Sequence, residues 1–175
     1  MTSKNFSTLA IHAGESRDPS TNAHNTPIYQ TATFTFEDAE SLTEAINEPF
    51  DHFFYSRTAN PTTAVLEKKL AALEGTEDSL ATASGMAAVA IAVMISARAG
   101  DHILVDHDIF VISREFFSQD CPAMGIAVDY VDVRDLESVR RAIRPNSKLL
   151  FAETATNPNM YLADLAALRR LADEH

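Results

Sequence analysis

From Asn60 onward the sequence alternates short β-type runs with helical stretches, and this alternation restricts the chain to one broad architecture. The β-type runs are Ser79–Ala83, His102–Asp106, Ile126–Val131 and Lys148–Glu153, with helical spacing near 86–98, 109–119, 135–143 and 164–174. Strands that take turns with helices are expected to lie parallel, joined by crossover helices, in an α/β sheet whose ligand sits beyond the strands' carboxyl ends. The first helix is the best marked: Asn60 is its cap, Pro61 its first residue and Gly75 its stop, with Leu66, Leu70 and Leu73 on one face. The last is capped by Asp164, carries Leu165, Leu168 and Leu171, and ends in Arg169 and Arg170. A crossover helix normally delivers the chain to another strand, so the reading is the front part of a longer domain with an incomplete sheet.

Residues 1–59 follow a different pattern. They are rich in Thr, Ser and Asn, carry prolines at 19, 27 and 49, and hold Tyr29, Phe34, Phe36, Phe50, Phe53, Phe54 and Tyr55 without a sustained period. That content predicts an extended arm (1–59) that docks on this chain or a neighbour, followed by an α/β domain (60–175). The balance of 14 basic against 25 acidic residues, a net charge of −11, argues against nucleic acid. The longest apolar stretch, Met86–Ala97, is too short to span a bilayer, and the polar start of the chain has no apolar signal core. With a single cysteine, Cys121, these features predict a cytoplasmic protein that is neither exported nor membrane-embedded.

Several constellations could carry chemistry. Neither G-x-G-x-x-G nor the P-loop pattern occurs among only five glycines. Ala83-Ser84-Gly85-Met86-Ala87-Ala88 joins a strand to a small-residue helix, and its free amides can hold a phosphate; the alternative is a plain turn. Tyr55 and Arg57, just before the Asn60 cap, can donate to one anion, or sit respectively in the arm's core and in a surface ion pair. Glu153 and Asn157 fall at the end of the fourth run, where Asn157 could donate to a ligand oxygen or merely start an Asn-Pro turn. His102, Asp106 and His107 superficially suggest a metal cluster, yet His102 and Asp106 bracket a strand, so no metal site is expected. His12, His24, His52 and His175 are scattered and receive no role.

Taken in order, NTPIYQTATF, FFYSRTANPT, ATASGMAA and AETATNPNMYLADL resemble the Cys/Met-metabolism family of pyridoxal-phosphate enzymes, from Thr8 to Glu174. That family includes cystathionine γ-synthase, cystathionine lyases, methionine γ-lyase and O-acylhomoserine sulfhydrylases. The resemblance implies the first part of a fold-type I transferase large domain, the cofactor pyridoxal 5'-phosphate and a small amino acid substrate. It implies that Tyr55 and Arg57 reach the cofactor phosphate of a neighbouring subunit in a homo-oligomer, while Gly85 and Met86 hold the phosphate of their own. Phe110 takes the place of the family's ring-stacking tyrosine, where many members continue with two glycines or Gly-Ser; here Val111 and Ile112 follow and would narrow the site. Phenylalanine can stack but moves no proton, and several O-succinylhomoserine sulfhydrylases resemble the chain in having it. The resemblance places Glu153 and Asn157 near the ring's edge, Asn157 as a cofactor contact and Glu153 as a candidate substrate contact.

The lysines are Lys4, Lys68, Lys69 and Lys148, and none matches the family's Schiff-base position. The chain alone is therefore expected to be inactive, and a complementary C-terminal chain becomes a possible partner. In the resembling family the first strand pairs with a late one, so Ser79–Ala83 is expected to lack its neighbour. The leading expectation for the complete enzyme is γ-replacement on an O-acylhomoserine. The alternatives are γ- or β-elimination, a non-catalytic remnant docking on a full-length relative, and a metal-dependent domain using His102, Asp106 and His107.

Overall fold

In the computed structural model, which describes residues 5–49 and 52–175, the chain gathers into two units, Met1–Ala81 and Thr82–His175. Lys4 and Phe50, singled out above, lie outside the described residues.

The first unit holds three helices, α1 (Phe6–His12), α2 (Ala39–Asn47) and α3 (Pro61–Glu74). Each starts at a polar side chain that takes up an orphan amide: Asn5 accepts from Ser7, Asp38 from Ser41 and Asn60 from Thr62. The first two lie in the segment read from the sequence as an extended arm; α1 and α2 have 7 and 9 residues, too few for a clear period in a polar sequence. Gly75 closes α3 in the left-handed region, as its position predicts. α1 packs on α3 through Gly14, where φ is +75° and an added Cβ would meet the Val65 carbonyl at 2.7 Å. Lys69 reinforces the contact, donating to Glu15 at 3.0 Å and to the Ile11 carbonyl at 3.2 Å. The face of α3 turned to α1 is thus that of Val65, Lys68 and Lys69. Leu66 and Leu70 are consequently exposed, contrary to the apolar face read from their spacing.

The second unit is built on a parallel sheet of β1 (His102–Asp106), β2 (Ala127–Val131) and β3 (Ser147–Phe151) in the order β2-β1-β3. Every residue of the central strand is buried. Ile103 and Val105 point to a layer with Val93, Ile109, Phe117 and Cys121, while Leu104 points to one with Val139, Leu168 and Leu171. Helices therefore cover both faces: α4 (Gly85–Ser96) and the run 111–123 on one, α7 (Leu136–Ala142) and α8 (Leu165–Asp173) on the other. The 111–123 run exceeds the predicted 109–119. It begins as α5 (Val111–Glu115), passes through a π-helical turn (Phe116–Asp120) and ends as α6 (Cys121–Ala123). Pro122 explains the wider turn: it cannot donate to the Ser118 carbonyl, and the preceding Cys121 amide bonds back to Phe116.

Ser79–Ala83 is not a strand. A strand exists through its ladder, and these residues have no ladder partner among the described residues. Glu67 of α3 takes the polar groups instead, with Ser79 Oγ donating to its carbonyl at 2.7 Å and the Ala81 amide to Oε1 at 2.9 Å. No described helix is long and apolar enough to cross a membrane.

Candidate functional site

The carboxyl ends of β1 and β3 feed two turns that bond to each other. After β1, His107 returns its amide to the Val131 carbonyl at 2.8 Å, which turns the chain toward Phe110 and α5. After β3, Glu153 is half-buried and accepts the Phe110 N–H on Oε1 at 2.9 Å. Two residues chosen from sequence, 43 positions apart, thus meet directly. Phe110 is 39% exposed, so part of the residue remains accessible to a ligand. Val111 and Ile112 follow on the first turn of α5 and are also exposed, an apolar flank beside that ring.

The α4 start lies in the same unit. Ser84 caps the helix by accepting the Ala87 amide at 3.1 Å, leaving the Gly85 and Met86 amides at the positive end of the dipole. A Cβ at Gly85 would meet nothing within 4 Å, so the space above these amides is open, as an anion requires. Met86 connects this helix to α5, its sulfur accepting from Ser113 Oγ at 3.6 Å.

Asn157 is exposed on a loop closed by its neighbours. Thr156 is buried and receives the Tyr161 amide on Oγ1 at 3.0 Å, and a bridge between Ala155 and Leu162 completes the loop. Sequence reasoning missed Asn159, whose Nδ2 donates to both oxygens of Asp108 at 2.8 and 3.0 Å. It also missed Arg134, which forks onto Asp132 at 2.8 Å through each of two nitrogens, holds that carboxyl down to about 2, and covers the Tyr161 ring at 4.1 Å. An Asp-x-Arg pattern beyond a strand was the available signal.

Of the three residues weighed as metal ligands, Asp106 is buried, and burial raises its carboxyl pKa. His107 Nδ1 lies 3.4 Å from it and 3.1 Å from the Val131 carbonyl. His102 sits at the other end of the strand, fully buried, with Nδ1 2.7 Å from Ser147 Oγ and Nε2 3.4 Å from Asp129. The strand separates the two ends, as the spacing predicts. Burial, followed by the nearby Arg144, keeps His102 below its ordinary range.

Tyr55 and Arg57 belong to the first unit. Tyr55 bridges Thr33 antiparallel, and the turn after it is tied by Ser56 to Ala32 at 2.9 Å and by Asn60 Nδ2 to Ser56 Oγ at 2.9 Å. The Arg57 guanidinium stacks on the Tyr55 ring at 4.7 Å and forms no ion pair among the described residues. An exposed guanidinium next to a phenol can receive an anion.

Comparison with known proteins points to one family. Residues 7–175 match the family model described as Cys/Met metabolism PLP-dependent enzyme. L-methionine gamma-lyase of Treponema denticola is 39% identical over 170 residues, 97% of this chain and 42% of that protein. O-succinylhomoserine sulfhydrylase of Pseudomonas aeruginosa is 38% identical over 167 residues, 95% of this chain and 41% of that protein. A Campylobacter jejuni protein whose crystal structure holds N'-pyridoxyl-lysine-5'-monophosphate superposes with a TM-score of 0.89 at 32% identity, covering 98% of this chain and 42% of the other. The chain therefore spans less than half the length of these relatives.

Proposed function

The chain belongs to the Cys/Met metabolism family of pyridoxal-phosphate-dependent enzymes, and on that premise we propose that it carries the phosphate-holding and ring-covering part of an enzyme of sulfur amino acid metabolism. The observation that carries the reading is the Phe110–Glu153 contact at the carboxyl ends of the strands, in the unit that also presents the open amides of α4. These residues suit the cofactor: an anion site with space above it, and a partly exposed aromatic residue. Bound pyridoxal phosphate would supply an electron sink for bond changes at the substrate's α-carbon.

The chain's own residues bind and orient. The Gly85 and Met86 amides, with the α4 dipole, hold the phosphate. Tyr55 and Arg57, on the arm of residues 1–59, add a hydroxyl and a forked guanidinium to the phosphate of a neighbouring subunit. Phe110 covers the pyridine face and Asn157 donates at its edge. Residues 60–175 form the partial cofactor domain, in a cytoplasmic homo-oligomer or with a complementary chain.

For the whole enzyme we assign γ-replacement on an O-acylhomoserine, of the sulfhydrylase or cystathionine γ-synthase type. Phe110 favours it, because several O-succinylhomoserine sulfhydrylases resemble the chain in having phenylalanine at that position. Elimination of the γ-lyase type is the second reading, favoured by the 39% identity to L-methionine gamma-lyase. The chain alone is inactive on either reading. Lys69 is paired with Glu15 within the first unit, and Lys148 is at the amino end of β3, the end of that strand opposite Glu153.

The test supplies the remainder of the Pseudomonas sulfhydrylase as a second chain. Expected is a visible cofactor band, with sulfur transfer to O-succinylhomoserine, only in the assembled pair. A stable pair that stays colourless would overturn the proposal in favour of a docking remnant.

A further inference from the structure

Phe110 occupies the cap position of α5, yet its side chain has no acceptor for the helix's first amides. The acceptor at this point comes from elsewhere in the chain, because Glu153 Oε1 takes the Phe110 N–H at 2.9 Å. A carboxylate is well suited to that place: the bond is charge-assisted and lies at the positive end of the helix dipole. Neighbouring bonds hold the same turn. Arg114 donates its amide to the Phe110 carbonyl at 2.9 Å and Nη1 to the His107 carbonyl at 2.5 Å, and Asn159 grips Asp108. With its backbone fixed on both sides, the phenyl ring retains only its own two torsions.

We infer that Glu153 is a positioning residue: its carboxylate sets the Phe110 backbone, and through it the direction of the ring. One lone pair of Oε1 is thereby committed to the Phe110 backbone, which adds a positioning role to the substrate-contact role that the sequence suggests for Glu153. The consequence for the cofactor rests on the proposed function above, whereas the effect on the ring does not.

The chain has no tryptophan, so Phe110→Trp provides a single fluorescent reporter in the full chain. Adding Glu153→Ala is expected to lower its anisotropy and expose it to acrylamide, while Glu153→Gln, which keeps an acceptor oxygen, restores most of the parent signal. Circular dichroism checks that each variant is folded. Unchanged anisotropy in folded Glu153→Ala overturns the assignment. Should that variant not fold, amide exchange in the unaltered chain decides: protection at Phe110 supports the bond, and exchange at the free-peptide rate overturns it. In a separate arm, pyridoxamine 5'-phosphate is titrated against the Phe110→Trp variant assembled with the complementary chain, and adding Glu153→Ala is expected to weaken its binding about fivefold. Complete absence of binding, with the anisotropy response intact, defeats the cofactor reading and leaves the role of Glu153 standing.

Discussion

Phe117 offers the sharpest test of how the second unit is held together. It is fully buried, with its ring centroid 4.8 Å from Phe151 and 5.5 Å from Phe116. Val93, Ile103, Val105 and Cys121 belong to the same cluster. Truncation to alanine removes a ring that no neighbour can replace, since close-packed interiors collapse only partly around a void. Transfer and cavity terms together cost about 3–5 kcal/mol for such a change, and loss of the ring pairs falls within that range. Against a typical domain stability of about 5–15 kcal/mol, the loss is a large fraction. Phe117→Leu keeps most of the volume and should cost about 1–2 kcal/mol. Urea denaturation followed by circular dichroism reads both, with lower midpoints and unchanged slopes expected. A Phe117→Ala loss below about 1 kcal/mol at unchanged slope would refute the claim that this ring centres the layer between the sheet and the 111–123 run.

Other expectations follow from the same structure. Burial of His102, aided by Arg144 and opposed by Asp129, lowers its proton affinity in the folded state. Its contribution to stability is therefore complete above the unfolded value of about 6.5 and is lost as pH falls through the folded value; urea midpoints across this window should drop, with a smaller slope in His102→Gln. Gly14→Ala forces a Cβ against the Val65 carbonyl in a left-handed conformation and should cost about 1–3 kcal/mol, visible as faster amide exchange in α1 and α3. Arg57→Ala should weaken pyridoxal phosphate about tenfold in the assembled pair, by equilibrium dialysis, without moving the urea midpoint, because the side chain is exposed and unpaired among the described residues. Cys121 is buried, its thiol pushed up to about 11 by burial, and should alkylate only as urea unfolds the chain.

Features carried by local rules were legible in the sequence. The caps at Asn60 and Asp164 are where they were read, and His102–Asp106 is the central strand residue for residue. Pairing was less visible. Ser79–Ala83 has strand composition, but strand character depends on a neighbour's amides, and Glu67 bonds this segment instead. Leu66 and Leu70 share a helical face, yet the approach of Gly14 decides which face of α3 is covered. Within the candidate site, the sequence singles out Phe110 and Glu153 but not the bond between them. Nothing local to Phe110 or Glu153 announces a hydrogen bond between positions 43 apart. The short caps at Asn5 and Asp38 did carry a signal, obscured by the polar sequences that follow.

The open surfaces of the second unit bear on where an assembly would close. Parallel strands are ordinarily covered on both faces and paired on both edges, as β1 is. β3 pairs only with β1 among the described residues, and beside it lies a cavity of about 590 Å³ floored by Leu104, Leu150 and Leu171. α4 is apolar on every side, which marks a helix made to be enclosed, yet Met94 and Ile95 are 60% and 81% exposed. By contrast, the turns at the carboxyl ends of β1 and β3 are closed by their own bonds, Glu153 to Phe110 and Asn159 to Asp108. The Phe110–Glu153 geometry is thus internal to this chain, whereas the β3 edge and α4 present open surface. Complementation should accordingly bury the β3 edge and α4 while leaving the amide protection of Phe110 nearly unchanged, and a large change at Phe110 would show that the turn is shaped by the partner after all.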